Sequence, residues 1–330
     1  MERELSNMRR KTIYLHVGHG KTGSSYMQSC FANSIKELNS FGISYPIEDD
    51  VLERARKGYT TEGNFPPISL QEGHSTDLFK ALIEKANKPN IKSVLVSNEG
   101  VFQSILLHRF LHRIVELFPD HTIKTLMFIR DPFEHIVSAY QELLKAAIVE
   151  DIADLIMKTS IPSNVKLFLR ICDELNIECS VVNFSRNRAN IREITSEWLG
   201  LKKDSLKAGP RLSVNRSLTR SEIQVQKEFN KVFGSYARRF VADPLTSELP
   251  TIKPSYPYIP SEVLKAYLGR MAVDCESVNK VIPSSERYHV PELEEVIKLI
   301  PTKKESEAIN LTTAQLEVIV RNLAQYLSPK

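Results

Sequence analysis

Residues 12–28, TIYLHVGHGKTGSSYMQ, change character twice within a short span. An apolar run through Ile13, Leu15 and Val17 breaks into a turn holding Gly18, Gly20 and Lys21, and the turn runs into helix-forming sequence. The order reads as strand, loop, helix. Glycines at 18 and 20 let the backbone approach a ligand closely, and Thr22, Ser24 and Ser25 set hydroxyls beside the first helical amides. Those amides and the positive end of the helix dipole would bind an anion, with Lys21 adding a mobile unit charge. The plainer alternative is an ordinary strand-to-helix turn capped by Thr22 or Ser24.

The rest of the first two thirds repeats this alternation. A helix is expected over 24–39, then a short strand in SFGISYP ending at Pro46. Residues 48–75 carry Gly58, Gly63, Pro66, Pro67 and Gly73 and read as a long irregular connection, with Tyr59, Asn64, Phe65 and His74 available to line an acceptor pocket. A helix near 77–86 leads to a buried strand, Val94 to Val96, that ends in Ser97, Asn98 and Glu99. Helix 101–118, strand IKTLMFIRDP, helix FEHIVSAYQELLKAA, helix FLRICDELNIE, strand CSVVNF and a helix before Trp198 complete the pattern. Five strands in this order predict an α/β fold, a mainly parallel central sheet with helices on both faces, over 12–210. Beyond about residue 202 the strand signal stops. Helices are expected over 219–239, 260–281 and 312–327, and 211–330 reads as a C-terminal helical part of the same single domain, completing the acceptor site and lid.

Composition excludes several classes. The 44 basic and 40 acidic residues leave a net charge of +4 without concentrated basic blocks, which suits a small anion and argues against nucleic acid as partner. Cys30, Cys172, Cys179 and Cys275 are dispersed without a CxxC or Cys/His cluster, so neither a metal site nor a disulfide framework is expected, and a cytoplasmic setting is the simplest. No stretch approaches the roughly 18 apolar residues of a membrane span.

The loop is not a nucleoside triphosphate loop of the form GxxxxGK[ST], because that spacing needs glycine at position 15, which is Leu15. VGHGKTGSS instead resembles the 5'-phosphosulfate loop of sulfotransferases that use 3'-phosphoadenosine 5'-phosphosulfate (PAPS). About a hundred residues later, IRDPFEHIVSAYQ resembles the 3'-phosphate motif of the same family, in which an arginine leaving a strand and a serine on the next helix grip the phosphate. Here these are Arg130 and Ser138, with Asp131-Pro132 forming a cap and first helical turn. Weaker similarity extends to GISYP, to CSVVNF followed by WLGL, where Phe184-Ser185 replaces the family's Tyr-Glu, and to RLSVNRSLTRSE.

What the resemblance implies is a PAPS-dependent transferase acting on an acceptor hydroxyl, of a small molecule or a glycan, with no metal. Gly20, Lys21, Thr22, Gly23, Ser24 and Ser25 would hold the phosphosulfate, Arg130 and Ser138 the 3'-phosphate, and Asn215, Arg216 and Ser217 would close over the nucleotide. A helix cap at Ser217 or Thr219 is an equal reading of that last segment. Lys21 would stabilise the departing phosphate. The acceptor proton would pass to Glu99 at its strand end, whose simpler role is a favourable charge at a helix start, or to His19, whose simpler role is to pack within the loop. His16 reads as a satisfied interior residue. A nucleotide kinase, which would require magnesium, and a catalytically silent scaffold of the same fold are the alternatives.

Overall fold

The computed structural model describes residues 11–59, 61, 63–64, 84–98, 104–148, 151–159, 161–210, 216–301 and 309–327, with the backbone alone for 104–107. It is an α/β protein built on a five-stranded sheet: β1 (Thr12–Gly18), β2 (Ile43–Ser44), β3 (Ser93–Ser97), β4 (Thr122–Ile129) and β5 (Glu178–Asn183). The order is β2-β3-β1-β4-β5 and every pairing is parallel. Buried on both faces, such strands need continuous apolar runs, and Leu126 to Ile129 supply one.

From β1 the chain winds out to β2, returns to β3, then crosses to β4 on the far side of β1. The winding direction therefore reverses beside β1, and in open parallel sheets ligands bind at the carboxyl ends of the strands where this reversal occurs. The carboxyl end of β1 is Gly18.

Helix α1 (Ser24–Asn33) stops at Ser34, and α2 (Ile35–Ser40) follows as a separate segment, so the expected single helix is broken. Helix α3 (Asp49–Arg56) occupies part of the connection expected to be irregular. Its apolar side is only Val51, Leu52 and Ala55, of which Ala55 alone is fully buried, and five charged residues in eight make the segment read as polar connection. Next come α4 (Ser104–Leu117), α5 (Pro132–Lys145), α6 (Ile152–Lys158), α7 (Ile161–Glu174), α8 (Phe184–Asn187) and α9 (Ile191–Trp198). On one sheet face Met27, Cys30 and Phe31 of α1 join Leu95, Leu126, Phe128, Val182 and Ile191 in a core cluster. Each such side chain contributes about 2 kcal/mol on burial. On the other face α7 and α4 pack together, and Cys172 of α7 meets Cys179 of β5 through a thiol–thiol hydrogen bond beside Thr125. These two cysteines, distant in the sequence reading, are neighbours in the fold, and both are free thiols.

The chain divides into two compact units. The first comprises Met1–Arg130, Ile161–Arg211 and Ser277–Tyr288 and contains the sheet; the second comprises Asp131–Ser160, Leu212–Glu276 and His289–Lys330. Helices α5 and α6 thus belong with α10 (Arg220–Phe233), α11 (Ala242–Glu248), α12 (Ser261–Asn279), α13 (Leu293–Ile297) and α14 (Thr313–Leu327). In that unit Phe133, Ile136, Tyr140 and Leu144 of α5 share a core with Leu218, Ile223, Leu264, Tyr267 and Met271. The boundary expected near residue 210 is therefore crossed by an earlier segment. Among the described residues no helix is long and apolar enough to cross a membrane.

Candidate anion site

The loop after β1 is held by its own backbone and by β4. The Thr22 hydroxyl, fully buried, donates to the His19 carbonyl at 2.8 Å and closes the turn. His19 Nε2 accepts the Arg130 backbone N–H at 3.1 Å, which requires a neutral ring, and Nδ1 lies 3.2 Å from the Gly20 carbonyl. His19 thus ties the loop to the end of β4 through Nε2, while Nδ1 stays within the loop.

Lys21 sits at φ 70°, a left-handed conformation that costs a non-glycine residue of the order of 1 kcal/mol or more. Its carbonyl is pinned at 3.0 Å by Nη1 of Arg130, so the residue at the end of β4 stabilises the strained turn. The Arg130 guanidinium carbon lies 5.6 Å from the centre of the Phe184 ring, with that of Arg188 at 6.0 Å. Gly23, at φ 86°, packs on the same ring: a Cβ there would stand 2.7 Å from Phe184 Cε2. Phe184 is therefore the floor on which the loop and two guanidinium groups rest.

Helix α1 begins from Gly23, which has no side chain to cap it. Ser24, only 3% exposed, has its hydroxyl oxygen buried without a hydrogen-bond partner. A buried unpartnered hydroxyl costs about 1–3 kcal/mol, a cost relieved if a ligand oxygen accepts its proton. Ser25 is half-buried on the same first turn. An uncapped helix start, a buried hydroxyl and the charges of Lys21, Arg130 and Arg188 suit a tetrahedral anion at the carboxyl edge of the sheet.

Beneath the loop, His16 of β1 is 1% exposed, and its Nδ1 shares a 2.9 Å hydrogen bond with Ser97 Oγ. It is interior as expected, yet only half satisfied, because Nε2 has no partner. The Phe31 and Phe128 rings stand edge-on to it at 5.7 and 5.6 Å. Burial holds this imidazole neutral, lowering it from its ordinary 6.5 to about 4.

Asn64, one of the residues available to line a pocket or simply to lie in an exposed loop, extends the sheet. Its Oδ1 accepts the Ser97 N–H at 2.7 Å and its Nδ2 donates to the Leu95 carbonyl at 2.9 Å, continuing the edge of β3 where the two-residue β2 has ended. The close approach requires glycine at 63, since a Cβ there would stand 1.9 Å from the Ser97 carbonyl oxygen. Alongside, Thr61 donates to Gln28 Oε1 at 2.9 Å. Tyr59 is exposed.

The structure thus brings His19, Gly20, Lys21, Thr22, Gly23, Ser24, Ser25 and Arg130 together in the first unit. Thr22 is corrected from an open hydroxyl to a structural one, its hydrogen bond being spent on the loop. Ser138, half-buried on α5, and Arg216 and Ser217 belong to the second unit. Arg216 is also corrected. Its Nε donates to the Leu249 carbonyl, Nη1 to Ser217 O and Glu222 Oε2, and Nη2 to Glu222 Oε1 and Leu245 O, which uses all five N–H groups. Thr219, not Ser217, caps the helix that follows, in a reciprocal capping box with Glu222. Glu99, Asn215, Phe65 and His74 lie outside the described residues. The sequence reading missed Arg188, four residues after Phe184 and reachable only as the next turn on one helical face. Compared with known proteins, the chain matches no family model and no curated sequence.

Proposed function

We propose that the chain is a sulfotransferase that moves a sulfuryl group from PAPS to an acceptor hydroxyl. The observation that carries this reading is Ser24, whose buried, unpartnered hydroxyl stands at an uncapped helix start after a parallel strand at the switch point of the sheet. The order of residues in VGHGKTGSS and IRDPFEHIVSAYQ makes the anion a phosphosulfate rather than a triphosphate.

In this reading the amides of Ser24 and Ser25 and the Ser24 hydroxyl hold the phosphosulfate, and Lys21 supplies charge where the phosphate departs. Arg130 takes the 3'-phosphate while its Nη1 keeps the loop in shape. The roles of Ser138 in binding and of Glu99 as the base rest on their motifs alone. His19, whose ring nitrogens both serve the loop, is assigned to positioning.

The test compares 3',5'-adenosine bisphosphate with ADP by thermal shift, then offers labelled PAPS with a panel of glycans, phenols and lipids. At a hundredfold excess over its dissociation constant the bisphosphate should stabilise the fold by about 2.7 kcal/mol, and ADP far less. Arg130→Ala should erase most of the difference. Equal shifts with both nucleotides, or transfer that depends on magnesium, would sink the proposal.

A further inference from the structure

We propose that His108 and His112 form a two-point chelate for a late first-row divalent ion, copper(II), nickel(II) or zinc(II), on the outer face of α4. The two residues are one helical turn apart, and their ring centroids are 4.2 Å from each other with the planes 35° apart. His108 is exposed and His112 half-buried, so an ion and its water ligands reach the pair directly. Imidazole is the commonest protein ligand for these metals, and the helix has already brought the two rings together.

The surroundings narrow the class of ion. Arg109 is exposed beside the pair, and Arg113 is engaged with Glu116 at 3.2 Å. Imidazole nitrogen donors disfavour hard cations that require oxygen ligands, such as magnesium or calcium, while the neighbouring arginines weaken binding of any divalent ion and keep the site exchangeable. Among the described residues no group of three or more His, Cys, Asp or Glu could hold a metal. Water therefore fills the remaining positions, and the ion is exchangeable, unlike a four-ligand structural zinc. Copper(II) binds tightest in this ligand class. Once bound, it bridges one turn and slows the opening of α4.

The experiment uses the full chain freed of metal with a chelator, then titrated with copper(II) at neutral pH. Binding is followed by electron paramagnetic resonance and by amide hydrogen exchange. The expected result is one equivalent with two nitrogen ligands and slowed exchange centred on residues 108–112. His108→Gln and His112→Gln should each raise the half-saturating concentration about tenfold or more, with the metal-free melting temperature unchanged in the exposed His108→Gln variant. Copper affinity unchanged from that of the natural chain in either variant would overturn the proposal. So would protection lying elsewhere in the chain, or no saturation below about 1 mM. Should a variant fold poorly, the nitrogen-ligand count and the exchange map of the natural chain decide alone.

Discussion

Acid should destabilise the sheet unit through one residue, His16. In the native state burial lowers its imidazole to about 4, against 6.5 when solvated. The direction follows from linkage: a group whose folded value is depressed gives full stability above the unfolded value and loses it as pH falls towards the folded one. At pH 7.5 both states are neutral and His16 contributes almost nothing to pH dependence. At pH 4.5 the unfolded chain carries the proton about 99% of the time and the folded chain about a quarter, so the native state loses about 2.5 kcal/mol. Urea unfolding followed by fluorescence of Trp198, the single tryptophan and a member of the sheet unit, measures this at both pH values. Repeating it with His16→Gln removes the titration, and the difference of differences cancels every other ionisable group. The natural chain should lose about 2.5 kcal/mol more than the variant between pH 7.5 and 4.5. Parallel losses, agreeing within about 0.5 kcal/mol, would refute a buried neutral His16.

Four further outcomes are expected. Lys21→Ala should lower kcat by about 10² to 10³ while weakening bisphosphate binding less, and Glu99→Gln should lower turnover by about 10² with nucleotide affinity and melting temperature kept; near-normal turnover on an alkyl hydroxyl would remove Glu99 as base. Arg216→Leu strands the fully buried Glu222, whose carboxyl lies below its usual range because hydrogen bonds from Arg216, Thr219 and Gln315 outweigh the effect of burial. Loss of that partner should cost about 3–5 kcal/mol, largely restored by adding Glu222→Leu, with bisphosphate affinity unchanged; a selective loss of nucleotide binding would return Arg216 to the site. Gly63→Ala should cost about 3 kcal/mol in chemical unfolding, from backbone strain at φ 86° and the Ser97 carbonyl in its path, and a neutral effect would mean that Gly63 and Asn64 are not fixed on β3.

What the sequence disclosed was local. The apolar runs of β1, β3, β4 and β5 are legible because parallel strands buried on both faces need them, and Asp131-Pro132 marks a helix start by its own stereochemistry. The loop that gathers Lys21, Ser24 and Arg130 was legible as a resemblance carried by spacing. What stayed hidden depended on partners far along the chain. Thr22 is spent on His19 and Arg216 on carbonyls at 245 and 249, and no local pattern says whether a hydroxyl or guanidinium is already satisfied. Helix α3 escaped because its apolar side is three residues long within an eight-residue segment that is mostly charged. Asn64 escaped because a side chain substituting for a strand has no periodicity at all.

The interleaving of the two units also constrains how the chain can be made. The apolar face of α5 emerges early, yet its partners, from Leu218 through Met271 to Val296 and Ile300, are translated much later. At cellular elongation rates that interval is of the order of ten seconds, during which Phe133, Ile136 and Tyr140 lack their native cover. Synthesis therefore leaves a sticky nascent helix waiting on the ribosome. A gene cut after residue 210 would leave it waiting permanently, so the sheet half is not a portable module that can be expressed or exchanged alone.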